Sequence, residues 1–202
     1  SFYGTPTMVI RTDQTPDERQ LAIITAQLGR APRGIEAVAA TDSEGTPLVL
    51  RMAPIVDGRP FPTLYWLCSE RLKVEISHIE AAGVIKRLEA RLQEEPEFLA
   101  AYHASHRDYV AARWRHMSEA QKAEVMRLGY DGVLTERGIG GIANWDQVRC
   151  LHTQYAHHLC GDNVIGRWMD AEYGVADCLP GGARPLSPPD PQCTDQGAPD
   201  VP

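Results

Sequence analysis

Apolar residues recur at two spacings along this chain, and the change of spacing divides it into a strand-forming first part and a helix-forming second part. Leu21, Ile24 and Leu28 form one stripe at helical period. Thr15-Pro16-Asp17-Glu18 reads as a capping box with proline at the first helical position, and Gly29 supplies the stop, so a helix is expected over 16–28. The dense runs Ile35–Ala40 and Leu48–Met52 flank Asp42-Ser43-Glu44-Gly45 and predict a β-hairpin. Leu64-Tyr65-Trp66-Leu67-Cys68 follows the Asp57-Gly58 turn and the Pro60-Phe61-Pro62 constraint, and predicts a third strand.

From Ser69 the period becomes helical. Leu72, Ile76 and Ile79 follow Ser69 as cap, and Gly83 breaks that helix before Val84, Ile85, Leu88 and Leu92 begin the next. Pro96 opens a longer helix carrying Phe98, Leu99, Tyr102, Tyr109 and Trp114, and Ser118-Glu119-Ala120-Gln121 is a capping box for a shorter one. Asn144 is expected to cap the element that holds Cys150 and His152. Strands followed by helices predict an α+β fold, a small antiparallel sheet of about three strands covered by about five helices.

The expected domain runs from 15 to 178. Residues 1–14 are weakly patterned, and 179–202 contain seven prolines with few large apolar side chains, a composition that cannot offset the entropy of ordering. At 202 residues the chain can bury a substantial core without a second domain. A net charge of −7 argues against a chain-wide grip on nucleic acid or anionic lipid. No run of apolar residues is long enough to span a membrane, and the expected setting is the cytoplasm. The five cysteines, Cys68, Cys150, Cys160, Cys178 and Cys193, are odd in number and form no C-x-x-C pair, which fits reduced thiols.

The densest chemistry is Val148-Arg149-Cys150-Leu151-His152, a soft thiol and an imidazole two residues apart, suited to metal ligation or thiol chemistry. In a regular helix from Trp145 to Leu159 these two side chains would point about 200° apart, so shared ligation requires Cys150 to precede the regular turns. His157 would lie too far along the axis to join Cys150 easily. Gly138-Ile139-Gly140-Gly141 is a flexible connection or, less specifically, a phosphate cradle; it lacks the Lys-Ser/Thr of a P-loop. Arg30, Arg33, Arg51, Arg149 and Arg167 are candidate anion contacts through their forked donors. Tyr102, His106, Tyr109 and Arg113 share one helix stripe, as packing or as the wall of a polar pocket. Glu75 and Glu80 offer a hard ligand or a general base, although helix acids are usually only solvated.

Several motifs in fixed order carry a resemblance: Leu28-Gly29-Arg30 with Pro32-Arg33-Gly34, Pro60-Phe61-Pro62-Thr63 leading to Trp66-Leu67-Cys68, His106-x-Asp108-Tyr109, Cys150-Leu151-His152 and Gly161-Asp162-Asn163. Across roughly residues 20–172 the chain resembles the bacterial domain of unknown function 501 family. The resemblance implies a bacterial-type cytoplasmic protein and supplies no activity. Members of that family often carry extra cysteines in the first hairpin, where this chain has Thr41-Asp42-Ser43-Glu44-Gly45, so Cys68, Cys150 and His152 are the matching soft-ligand positions.

Three readings follow. In the first, Cys68, His106, Cys150 and His152 hold zinc or an iron centre, with His103 able to replace His106; an open coordination position would make the protein an enzyme, in the hydrolytic class. In the second, a metal-free binding or assembly protein recognises a small anionic ligand or a partner protein through Arg33, Tyr109 and Arg149. In the third, Cys68 or Cys150 is a nucleophile, and His152 or His106 lowers its pKa or shuttles protons. A buried cysteine as apolar filler, and a histidine hydrogen-bonded in the core, are the plain alternatives to all three.

Overall fold

A computed structural model describes residues 8–182. Residues 9–14, expected to be weakly ordered, form an edge strand, β1 (Val9–Gln14), antiparallel to β2 (Ile35–Asp42). Only Val9 of this strand is buried, so its sequence offers little periodicity, but Arg11 Nε donates to the Leu159 carbonyl and ties the strand to a helix near the other end of the chain. Between them lies α1 (Glu18–Leu28). The capping box sits two residues later than expected: the Asp17 carboxylate accepts from the Gln20 amide and the Gln20 side chain accepts from the Asp17 amide, so Pro16 lies outside the helix.

The expected hairpin is present as β2 and β3 (Pro47–Met52). The Asp42 carboxylate accepts from the amides of Glu44 and Thr46, which shapes the connection. A small ribbon, β4 (Ile55–Val56) and β5 (Arg59–Pro60), turns at Asp57 and Gly58, both at positive φ, the requirement of a type I′ turn. With β6 (Tyr65–Leu67) the main sheet has the order β1-β2-β3-β6, one strand more than expected and antiparallel throughout.

The helices are α2 (Glu70–Ala81), α3 (Val84–Glu94), α4 (Pro96–Arg115), α5 (Glu119–Arg127), α6 (Asp131–Glu136), α7 (Leu151–Cys160) and α8 (Val164–Tyr173). The total of eight among the described residues exceeds the expected five, because α6 is too short to show a period and α7 and α8 are split by Gly161. The α+β class stands. Ser69 caps α2 and Ser118 caps α5. Asn144 is not a helix cap; its side chain accepts from the Asp146 amide in a local turn, and α7 begins only at Leu151.

Strand alternation separates two cores. Tyr65 and Leu67 join the main core with Tyr155 and Leu159 of α7, while Trp66 and Cys68 join Ile24, Val38, Leu50 and Met52 under α1. Helix α7 is buried from Leu151 through Leu159, so even its polar residues must find partners inside the protein. Leu179, the start of the expected tail, is buried; residues 183–202 and 1–7 lie outside the described residues. No helix among the described residues is long and apolar enough to cross a membrane.

Candidate metal centre

Cys150 precedes α7 in extended conformation, φ −152° and ψ 127°, which frees its side chain from the helical direction that would have kept it from His152. Its Sγ lies 3.6 Å from His152 Nδ1. Glu80, in the last turn of α2, brings Oε1 to 3.2 Å from the same Nδ1 and also accepts from the Leu151 amide at 2.7 Å. Ligand atoms of Glu80, Cys150 and His152 all lie within 4.8 Å of one another. Cys150 and Glu80 are partly exposed and His152 is buried.

The opposite ring nitrogen sets the orientation. His152 Nε2 is 3.2 Å from the Lys73 carbonyl, which can only accept, and 3.1 Å from Ser77 Oγ. Nε2 therefore carries the proton, and Nδ1 is the atom turned toward sulfur and carboxylate. Burial opposes charge on the ring, but the Cys150 sulfur and Glu80 outweigh it and raise the His152 pKa to about 10. Burial likewise pushes the Glu80 carboxyl up, yet the His152 and Leu151 hydrogen bonds prevail and hold it below the usual carboxylate range.

Of the four residues expected from sequence, Cys150 and His152 come together, and Glu80 joins them where Cys68 and His106 do not. Cys68 lies on the α1 side of the sheet by strand parity, fully buried among apolar side chains, and burial pushes its thiol up to about 12. His106 Nδ1 accepts from the Ile139 amide at 3.0 Å, and its ring packs between Tyr102 and Trp145. His103 pairs instead with Asp146 at 2.6 Å. The Ile139 bond, with the turn bonds of Gly138 and Gly141, also occupies the amides that would have made a phosphate cradle of the glycine run.

The expected anion contacts do not assemble either. Arg33 pairs with Asp57, Arg51 with Asp13 and Arg167 with Asp162. Tyr109 is buried, its hydroxyl accepting from the Leu64 and Tyr65 amides. Arg149 alone of the expected contacts is exposed beside Cys150.

Sequence reading missed the polar organisation around α7. Each buried histidine of that helix meets a carboxylate from a different helix: His152 with Glu80 of α2, His157 with Asp108 of α4 at 2.7 Å, and His158 with Asp170 of α8 at 2.7 Å. A directional chain runs through the middle. The Gly166 amide donates to Asn163 Oδ1, Asn163 Nδ2 donates to Gln154 Oε1 and His157 Nδ1, Gln154 Nε2 donates to Tyr102, and the Tyr102 hydroxyl donates to the Gln147 carbonyl. Its last acceptor belongs to the loop that delivers Cys150. Val148, Leu151, Tyr155 and Leu159 define a buried face with His152 on its border, and the available signal for more was the crowding of Gln154, His157 and His158 into the same short helix.

The profile of a family described as "Protein of unknown function (DUF501)" matches residues 38–171. Nothing among the curated proteins or the solved structures matches the chain.

Proposed function

The chain belongs to the DUF501 family, and from that premise we propose that Glu80, Cys150 and His152 form a mononuclear transition-metal site, for zinc or iron, with a further coordination position open to solvent. One observation carries the reading. A tetrahedron around zinc, with Zn–S of about 2.3 Å and Zn–N and Zn–O of about 2.0–2.1 Å, has an S···N edge of about 3.6 Å and an N···O edge of about 3.3 Å. The corresponding separations here are 3.6 Å and 3.2 Å. The donor set of thiolate, imidazole and carboxylate suits zinc and tolerates iron. Donation from His152 Nε2 to a backbone carbonyl is the outer contact that metal-bound histidines use to fix their tautomer.

Three protein ligands leave room for water or substrate, the pattern of a catalytic centre, and the proposed reaction class is metal-assisted hydrolysis. Cys68, Cys150, Cys160 and Cys178 are free thiols, which supports a reducing compartment such as the cytoplasm. A second reading, thiol catalysis by Cys150, draws on the contact with a cationic His152. It fits the geometry less well, because sulfur and carboxylate both approach Nδ1 instead of taking opposite ring nitrogens as in a relay.

Elemental analysis of the untagged protein, purified anaerobically, tests the proposal. About one zinc or iron per chain is expected, lost in Cys150→Ser and His152→Ala and kept in Cys68→Ser. Metal-free protein that stays so after reconstitution with either ion would overturn it. Rapid alkylation of Cys150 below pH 8 in that protein would establish the thiol reading instead.

A further inference from the structure

Arg113 is 2% exposed, yet no carboxylate among the described residues pairs with it. Its guanidinium reaches carbonyl oxygens of Leu134 and Arg137 at 2.7 Å, Pro62 at 2.5 Å and Gly138 at 3.5 Å, and lies over the Tyr109 ring. Nε is buried and finds no hydrogen-bond partner among the described residues. Carbonyl dipoles satisfy donors but supply no net negative charge, and a buried cation without a counter-charge is costly.

Arg113 borders a partly open cavity lined also by Arg51, His116, Met52, Phe61 and Met117. With a volume of about 10 Å³, the cavity suits one small occupant better than a phosphate or a carboxylate ligand. Asp13, held at positive φ, gives the cluster its carboxylate: it meets Arg51 Nε at 2.6 Å and approaches His116 Nδ1 at 3.7 Å. Burial and the neighbouring Arg51 depress the His116 pKa, which favours the neutral ring. Two guanidiniums and one carboxylate leave one positive charge. Arg115, which also faces His116, is exposed and adds a charge that water screens.

We propose that this cavity is a binding site for a single monatomic anion of halide size, held between Arg113, Arg51 and His116. One such anion brings the cluster to neutrality, and the apolar walls favour a weakly hydrated ion. The site is independent of the Glu80–Cys150–His152 cluster and needs no metal.

The test is the melting temperature of the full chain in sodium chloride, sodium bromide and sodium gluconate at constant ionic strength, gluconate being too large to enter. Chloride and bromide are expected to raise it by several degrees in a saturable manner relative to gluconate, as for a ligand that binds only the folded state. Arg113→Met is expected to fail to fold, so Arg51→Gln carries the test through the difference between salts: the halide increment should fall by at least half, while Cys150→Ser keeps it in full. Crystals grown in bromide should show its anomalous signal in the cavity. Equal melting in all three salts, an undiminished increment in Arg51→Gln, or a bromide-free cavity would each refute the site.

Discussion

His106 is a buried imidazole held neutral. Burial, with His103 and His157 nearby, depresses its pKa to about 3, against an ordinary value near 6.5. Between those values the unfolded chain takes up a proton that the folded chain refuses, so folding stability must fall as pH drops from about 6.5 toward 3. The loss from this residue is at most about 1.4 kcal/mol per pH unit. Urea titrations from pH 7 to 4 should therefore show a shallower acid slope in His106→Asn; an identical slope would mean that other groups set the acid limit. Residue chemistry was only partly legible in the sequence. Cys150 and His152 were visible as a pair of soft ligands, but the third partner was one of several ordinary helix acids, and only the docking of α2 on α7 selects Glu80 over Glu75. Cys68 misled because a thiol at a strand end carries no mark of which sheet face it occupies until its register is known.

Elements in this protein are fixed by their ends. Caps at Ser69 and Ser118 were readable because a side-chain oxygen three residues before its amide partner is a local matter. The start of α7 was not, since Cys150 offers no cap and the helix begins there only because the Leu151 amide finds Glu80 from another helix. At the α7–α8 contact, a Cβ on Gly166 would lie 2.1 Å from His158 Cβ, so Gly166→Ala should force the helices apart and cost about 1–3 kcal/mol despite its better helix propensity, measured by denaturant unfolding. Asn163→Asp makes a finer test of the polar chain. It keeps the cap oxygen for the Gly166 amide but removes the donor to Gln154 and His157, at a cost of about 1–3 kcal/mol near neutral pH. Because a protonated His157 could then donate to the new carboxylate, the deficit should shrink as pH falls; a deficit that grows would disprove the assigned direction of the chain.

The molecule as a whole is arranged around α7, whose sides touch β6, β3, α2 and α8. Its amides should be among the slowest to exchange with deuterium, opening only with global unfolding, while α5 and the β4–β5 ribbon exchange through local openings; fast exchange in α7 would show that it is not the organising helix. The order of strands before helices was legible, since alternating and helical spacings are local properties, but the central position of one polar ten-residue helix was not. Its histidines and glutamine find partners that include residues 12 to 75 positions away, beyond the reach of any local pattern.

That arrangement bears on how the chain is made. The sheet is complete once β6 has left the ribosome, but α7, which covers its inner face, follows some eighty residues later, and Arg11 finds its acceptor across 148 residues. At about 5–20 residues per second, the growing chain shows an unshielded apolar sheet for several seconds. The nascent protein therefore passes through a stage when it is a natural client for chaperones, and a clone ending before Cys160 should be insoluble however well its strands are formed.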